Sequence, residues 1–352
     1  MSRTQDFLRR ILPQVVTLAV VLGLIAAVYP GFFDISMANG RLYGSVIDIL
    51  NRGAPVALLA IGMTLVIATR GIDLSVGAIM AICGAVVAAA ITSGFGLAPA
   101  LGLALAAGLA CGLWNGLLVV LFDIQPIVAT LILMVAGRGI AQLVTEGAIL
   151  TFTHEGLIFL GSGAIFGVPT PVAIWLAAGA LTLLVVRRTA LGMLIEAVGI
   201  NRRAGALAGV GAGALIVAVY MVSGLCAGVA GVIAAADIRG ADANNAGLWL
   251  ELDAILAVVI GGTSLLGGRF SIAASLIGAM IIQSVNTGIL LSGFPPEFNL
   301  IIKAAIIIAI LVLQSPRLRG GPRLRRSGGR ASPRKQAPRD QAPAEKKERV
   351  PS

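Results

Sequence analysis

Residues 54–91 read APVALLAIGMTLVIATRGIDLSVGAIMAICGAVVAAAI, and this stretch decides the fold class. It contains two apolar runs, 54–69 and 72–91, separated by a short polar phrase that carries Arg70 and Asp73. A helix needs about 20 apolar residues to cross a hydrocarbon core roughly 30 Å thick. The stretch therefore predicts two membrane-spanning helices with a polar break between them.

The composition of the whole chain agrees with a lipid environment. Of its 352 residues, 58% are hydrophobic and 12% are charged, and the mean hydropathy is +0.97. A soluble domain carries roughly 25% charged residues, because its surface must face water. Cys83, Cys111 and Cys226 lie in apolar runs, which is typical of packing residues rather than of a disulfide scaffold. These figures exclude soluble, disordered and disulfide-rich classes.

Eight further apolar runs have a length near that of a membrane crossing. They are residues 11–29, 97–122, 126–144, 171–186, 212–236, 252–266, 271–291 and 298–313. Glycines at every fourth position, such as Gly108 and Gly112, permit the close backbone approach that packs helices in lipid. The sequence predicts an all-α polytopic membrane protein of about ten transmembrane helices, some of them broken.

Arginine placement predicts the orientation, since basic residues in short loops stay in the cytoplasm. Arg9 and Arg10 place an N-terminal segment, 1–10, in the cytoplasm, and ten crossings of the 11–314 domain return the chain to that side. From 317 to 352 there are 12 Arg or Lys against 3 Asp or Glu, in a segment too poor in apolar residues to fold. We expect a multi-pass membrane protein with a disordered cytoplasmic tail, 315–352, close to anionic lipid. Nucleic-acid binding is not expected.

The phrase RGIDLSVG at 70–77 has two interpretations. A lone charge in hydrocarbon costs at least about 3 kcal/mol, so Arg70 and Asp73 should face a polar cavity, a partner or the interface. Glycine permits a broken helix that lines a cavity at this point. A tight cytoplasmic turn at the headgroups explains the same residues.

The most polar segment before the tail, 236–254, leads directly into an apolar run and contains Glu251 and Asp253. Residues two apart on a helix point about 200° apart, so these carboxylates cannot face one surface or act as a catalytic pair. They contact substrate, or they stabilise the start of a helix through its dipole.

Sequence motifs for catalysis are missing from the chain. The glycine-rich phrase at 261–269 lacks the Lys and Ser or Thr of a nucleotide-binding loop and is expected to form a cytoplasmic turn. A single histidine, His154, and dispersed cysteines predict neither a metal site nor a Ser-His-Asp triad. We expect a protein that is not an enzyme and binds no cofactor of its own.

Residues 187–210 form the longest loop of the predicted cytoplasmic side and mix small residues with charged ones. The segment is too polar to cross the membrane and too apolar to be a free linker. A short helix that docks into a partner explains this mixture, as does an amphipathic helix resting on headgroups.

Three separated motifs in one order resemble the permeases of ribose-type sugar ABC importers. They are the break at 71–77, the loop phrase at 196–210, and the helix start at 251–254 with its glycine-rich turn at 261–269. The resemblance covers most of residues 10–314, and the phrases at 239–247 and 293–297 are similar to the galactofuranose branch of that family.

The resemblance implies the ABC importer permease fold and a complex with two permeases, two ATP-binding subunits that carry ATP and Mg²⁺, and a periplasmic sugar-binding protein. In the galactofuranose branch the second permease is a related but different chain. The coupling helix that contacts the ATPase corresponds to 196–210. Its pattern positions are Glu196, Gly199, Asn201, Ala204 and Gly209.

Single polar residues within the spans are candidates for the lining of the sugar path. We predict that this lining contains Asp73, Asn115, Glu251, Asp253 and Asn286. Helix packing through interhelical hydrogen bonds explains the same residues. The alternative function is an ion-coupled secondary transporter, in which Asp73 or Asp253 would be the ion-coupling acid.

Overall fold

The structure of the chain is a computed structural model that describes residues 3–38, 40–293 and 296–314. For residues 3–10, 296, 297, 299, 311, 313 and 314 only the backbone is described. The tail predicted at 315–352, and part of the phrase at 293–297, lie outside the described residues.

The described chain is built from fourteen helices and six short strands. The helices are α1 Arg3–Val28, α2 Ser45–Arg52, α3 Ala54–Ala68, α4 Val76–Thr92, α5 Leu97–Leu121, α6 Pro126–Val144, α7 Glu155–Ser162, α8 Thr170–Arg188, α9 Leu191–Ile200, α10 Arg202–Leu207, α11 Ala212–Ile238, α12 Leu250–Ile260, α13 Ile272–Leu291 and α14 Pro296–Gln314. The strands are β1 Ser36–Ala38, β2 Arg41–Tyr43, β3 Leu150–Thr151, β4 Ala164–Ile165, β5 Val168–Pro169 and β6 Gly240–Ala241.

Each of the ten predicted spans coincides with a helix, which confirms the predicted all-α membrane class. Among the described residues six helices are long and apolar enough to cross a membrane: α1, α5, α6, α8, α11 and α13. Helices α2 and α3 meet at an angle of 45° at Gly53, and the two together are long and apolar enough for a seventh span. The remaining predicted spans are the shorter helix α4, the 11-residue α12, and α14.

Helix α11 lies at the centre of the bundle and packs on α3, α4 and α5. Its contact with α5 depends on small residues, because a Cβ added at Gly224 would overlap the Gly108 carbonyl oxygen. A Cβ at Gly112 would likewise overlap the Tyr220 carbonyl. The glycine repeats therefore serve helix packing, as their spacing predicts.

The connections between helices gather at two opposite ends of the bundle. At one, the coupling end, the guanidinium of Arg70 donates to the carbonyl oxygens of Leu266 at 2.8 Å and Ile200 at 2.7 Å. There too, Arg202 lies 3.9 Å from Asp123 in the α5–α6 connection.

At the other, the hairpin end, β1 pairs with β2, β3 with β6 and β4 with β5, all antiparallel. The Leu42 amide also donates to the Gly167 carbonyl at 2.9 Å. Successive spans thus run in alternate directions.

Some elements were not predicted from the sequence. Helices α2 and α7 and the short strand pairs have no counterpart among the predicted spans. The segment at 187–210 forms two helices, α9 and α10, where one was expected, because the Asn201 side chain accepts from the Ala204 amide at 3.0 Å and starts a new helix there.

Candidate substrate path and coupling surface

The break between α3 and α4 places a carboxylate inside the protein. Asp73 is fully buried, and its Oδ1 accepts from the Ser75 amide at 3.1 Å and the Ser75 hydroxyl at 2.6 Å. Its Oδ2 accepts from the Ser223 hydroxyl of α11 at 2.8 Å. Asn115 of α5 donates to the Ser75 hydroxyl at 2.8 Å, so Asp73 and Asn115 belong to one polar cluster.

This polar cluster lies near the middle of the bundle. Ser223 is the twelfth residue of the 27-residue α11, about 17 Å from one end of that helix and about 22 Å from the other. Asp73 is bonded to Ser223 and therefore sits at that depth. The sequence left a broken helix and a turn at the headgroups as alternatives. Arg70 lies at the coupling end, whereas Asp73 belongs to a break inside the protein.

A second irregular segment, 239–249, meets α4 inside the bundle. A Cβ at Gly247 would overlap the Gly77 carbonyl, and a Cβ at Gly77 would overlap that of Gly247, so two backbones cross in contact. Gly247 has φ +71° and Trp249 has φ +65°, both in the left-handed region. Helix α12 begins right after this crossing and is about 16 Å long, half of a full span.

Asp242 organises the hairpin-end part of the same segment. Its carboxylate accepts from the Asn244 amide at 3.0 Å, the Asn245 amide at 3.1 Å and the Asn245 side chain at 2.7 Å. These hydrogen bonds, above all the one from the Asn245 side chain, lower the pKa of Asp242 because they stabilise the charged form.

The two carboxylates of α12 point in different directions, as their spacing predicts. Glu251 is buried, and its Oε2 lies beside Gly77 at the start of α4. Asp253 faces α14 instead, where Lys303 donates to its Oδ2 at 2.7 Å. Asp253 therefore belongs to a buried ion pair between α12 and α14, away from the Asp73 cluster.

Asn286 stands apart from these residues. It is half-buried on α13, a helix that packs on α1, α3, α8 and α12, whereas the Asp73 cluster is built by α5, α11 and the α3–α4 break. The structure therefore groups Asp73 and Asn115 and brings Glu251 to the adjoining crossing, while Asp253 and Asn286 lie elsewhere.

Arg138 and Gln142 of α6, which the predicted lining leaves out, contact the irregular segment. The Arg138 Nη1 donates to the carbonyls of Ala243, at 3.1 Å, and Ala246, and the Gln142 amide donates to the Asn244 side chain at 2.7 Å. They join α6 to the irregular segment. A charge placed alone within an apolar run was the available signal.

Two cavities lie on opposite sides of the Asp73 cluster along α11. One of ≈ 250 Å³ opens at the coupling end and is lined by residues that include Arg70, Gly71 and Tyr220. Another of ≈ 310 Å³ lies towards the hairpin end and is lined by residues that include Met80 and Gly247. Along α11, Ser223 of the Asp73 cluster lies between Tyr220, which lines the first cavity, and Gly231, which lines the second.

The coupling end carries an exposed surface formed by α9 and α10. Asn201, Ala204 and Gly209 are exposed there, and Glu196 is half-buried. Gly199 differs, since it is buried and a Cβ would overlap the Ala68 carbonyl oxygen. Gly199 allows α9 to pack against the end of α3, and because it is buried it is not accessible to a partner protein.

Large apolar side chains are uncovered on this surface. Leu207 is 91% exposed, Met193 69% and Ile200 61%, next to the exposed cations Arg202 and Arg203. An apolar patch rimmed by charge is typical of a protein interaction site. Among the described residues no cluster of three or more His, Cys, Asp or Glu side chains could hold a metal ion.

A bundle of apolar helices with a buried polar cluster at its centre and an uncovered helical surface at one end fits the class of membrane permeases. The chain belongs to the family described as the permease component of branched-chain amino acid transport systems, whose model matches residues 45–311. Its relatives place it among the ribose-type sugar ABC permeases in that family. This membership favours an ABC permease over an ion-coupled secondary transporter.

Three relatives illustrate the similarity. The galactofuranose transporter permease protein of Escherichia coli strain K12 is 60% identical over 306 residues, covering 87% of this chain and 90% of the relative. The fructose import permease protein of Bifidobacterium longum strain NCC 2705 is 40% identical, covering 80% of each chain. The ribose import permease protein of Escherichia coli strain K12 is 37% identical, covering 84% of this chain and 91% of the relative.

Proposed function

We propose that this chain forms half of the membrane path of an ATP-driven importer for a monosaccharide, with galactofuranose as the first candidate. The 60% identity to a galactofuranose transporter permease carries the choice of sugar. The buried polar cluster of Asp73 and Asn115, with Glu251 at the adjoining Gly77–Gly247 crossing, supports the choice of route.

The proposed complex contains a second permease, related but different in sequence, two ATP-binding subunits and a periplasmic sugar-binding protein. ATP and Mg²⁺ bind the ATPase and not this chain. The α9–α10 surface is the proposed ATPase contact, because it exposes Asn201, Ala204 and large apolar side chains at the coupling end. The coupling end then faces the cytoplasm of a bacterial inner membrane. Both ends of the 11–314 domain, with segments 1–10 and 315–352, lie on that side.

The contacts give a physical route from the coupling surface to the path. The Ile200 carbonyl at the end of α9 accepts a hydrogen bond from Arg70, and Gly199 packs against Ala68. Helix α9 is therefore in direct contact with the end of α3. Arg70 is only three residues before Asp73. Asp73 in turn accepts a hydrogen bond from Ser223 of α11, so the break contacts α11. When ATP binding moves α9, the α3–α4 break moves with it, and the Gly77–Gly247 crossing separates to open the path.

The test is uptake of radiolabelled galactofuranose by cells that lack their own galactofuranose permeases and express this chain with its second permease, its ATPase and its binding protein. We expect ATP-dependent uptake that unlabelled galactofuranose suppresses and that ribose and fructose suppress weakly. Strong competition by ribose or fructose would reassign the sugar. Uptake that persists after loss of the ATPase but stops when the proton gradient collapses would overturn the proposal.

A further inference from the structure

A third cavity lies between α6 and the residues that follow Gly77 and Gly247, beside their crossing. We call it the α6 chamber. It has a volume of ≈ 400 Å³ and lies between α6, the first turn of α4 and the first turn of α12. Its lining combines apolar residues, among them Val135 and Leu248, with Arg138, Gln142 and Glu251. Sites for small molecules have volumes of about 300–1,000 Å³ and this mixture of apolar walls with a few polar groups.

Arg138 is held in position at the chamber wall. Both of its assigned hydrogen bonds, to the Ala243 and Ala246 carbonyls, use Nη1. A guanidinium has five N–H donors, so Nε and Nη2 keep donors for a ligand in the part of the chain that the structure describes. Arg138 lies well inside a span, at a depth where a cation needs a water-filled cavity or a partner.

Glu251 supplies the complementary group. Its carboxylate is buried in the first turn of α12, and an ionised carboxylate only accepts hydrogen bonds. Arg138 and Glu251 line the same chamber and have side chains of opposite formal charge, which leaves a chamber with donors, acceptors and little net charge. A ligand with many hydroxyl groups satisfies both, because each hydroxyl donates to the carboxylate and accepts from the guanidinium. An anionic ligand would be attracted by Arg138 but repelled by Glu251, so an uncharged ligand fits the pair of side chains better.

The chamber opens on an uncovered face of α6. Val135, which lines it, is 71% exposed, and Leu143 on the same helix is 80% exposed. In the importer proposed above, a second permease is the partner available to cover such a face, which would enclose the chamber between two chains.

We propose that the α6 chamber is a transient contact site for an uncharged monosaccharide, with Arg138 donating to sugar hydroxyls and Glu251 accepting from them. The inference rests on the proposed function and names residues of this chain that touch the cargo. Few direct contacts suit a transport site, because tight binding would slow release.

The test introduces a cysteine at Gly139, which lines the chamber and where an added Cβ meets nothing within 4 Å. Gly102 on α5 is the matched control, since its Cβ also meets nothing within 4 Å but it lies outside the chamber. Modification with a polar methanethiosulfonate reagent should cut galactofuranose uptake by G139C more than tenfold and leave uptake by G102C within twofold. Saturating sugar with a working importer should slow modification of G139C several-fold.

Unchanged uptake by fully modified G139C, or no reaction at that cysteine, would overturn the proposal. If G139C does not insert, V135C takes its place with the same expected loss. Absence of uptake from the unmodified wild-type chain and from G102C would instead refute the importer itself, so the two failures are distinguishable.

Glu251→Gln provides a second measurement that does not depend on a thiol. It keeps the shape of the side chain and removes its charge. We expect maximal uptake to fall several-fold. The concentration of loaded binding protein that gives half of the maximal rate should not change, because Glu251 is buried and cannot contact a docked protein. Equal maximal uptake in Glu251→Gln and wild type would count against the sugar contact.

Discussion

At the scale of single residues, the buried ion pair between Asp253 and Lys303 makes a testable contribution to stability. Single and double substitutions distinguish the effect of an unpaired charge from that of losing the pair. The side chains are 6% and 14% exposed, so both charges have left water. Breaking such a pair leaves an uncompensated charge, whereas replacing both partners by apolar residues is often neutral.

We therefore predict that Lys303→Met lowers the free energy of unfolding by about 3–5 kcal/mol. The double variant Asp253→Leu with Lys303→Met should recover most of that loss. Thermal unfolding of the purified permease in detergent measures both. A double variant as unstable as Lys303→Met alone would show that the loss does not come from the unpaired carboxylate.

A second prediction at the residue scale concerns the crossing of two backbones. Gly247 and Gly94 both have positive φ, +71° and +86°, but only at Gly247 would a Cβ overlap another backbone. We expect Gly94→Ala to cost about 1 kcal/mol through backbone strain alone. Gly247→Ala should cost roughly 2–5 kcal/mol, because overpacking adds to the strain. Equal unfolding temperatures for the two variants would contradict this.

At the scale of elements, two substitutions in α9 and α10 distinguish an effect on ATPase binding from an effect on folding. Ala204 is exposed, so Ala204→Asp should leave the chain inserted and stable while abolishing co-purification of the ATPase and sugar uptake. Gly199→Asp should instead reduce the amount of folded protein, because its side chain has no room beside Ala68. Detergent-extracted yield and ATPase recovery distinguish the two effects. Normal uptake by Ala204→Asp would remove α10 from the ATPase contact.

The sequence predicted the spans because the requirement for about 20 apolar residues is local. Asp73 stood out because a charge in hydrocarbon demands a reason. The hydrogen-bond partners of the buried polar side chains could not be predicted from the sequence. The Ala243 carbonyl that accepts from Arg138 is 105 residues away, and a backbone carbonyl is present at every residue. Asp253 and Asn286 were grouped with Asp73 by polarity alone, and only packing separates them.

At the scale of the whole molecule, the two ends of the bundle should face opposite compartments. Cysteines introduced at Ser93 and Ala148, at the hairpin end, should react with a membrane-impermeant maleimide in intact cells. Cysteines at Ala208 and Ser264, at the coupling end, should react only after the cells are permeabilised. The wild-type chain is the control, since Cys83, Cys111 and Cys226 lie within helices. The reverse labelling pattern would invert the proposed orientation.

The Gly77–Gly247 crossing also has an electrical consequence. With water in the cavities on either side, most of the membrane potential falls across this thin partition rather than across the full bilayer. A singly charged solute that passes it would gain or lose about 2.3 kcal/mol per 100 mV. An uncharged solute feels no such force, so its accumulation depends on the nucleotide cycle alone and is insensitive to the voltage of the cell.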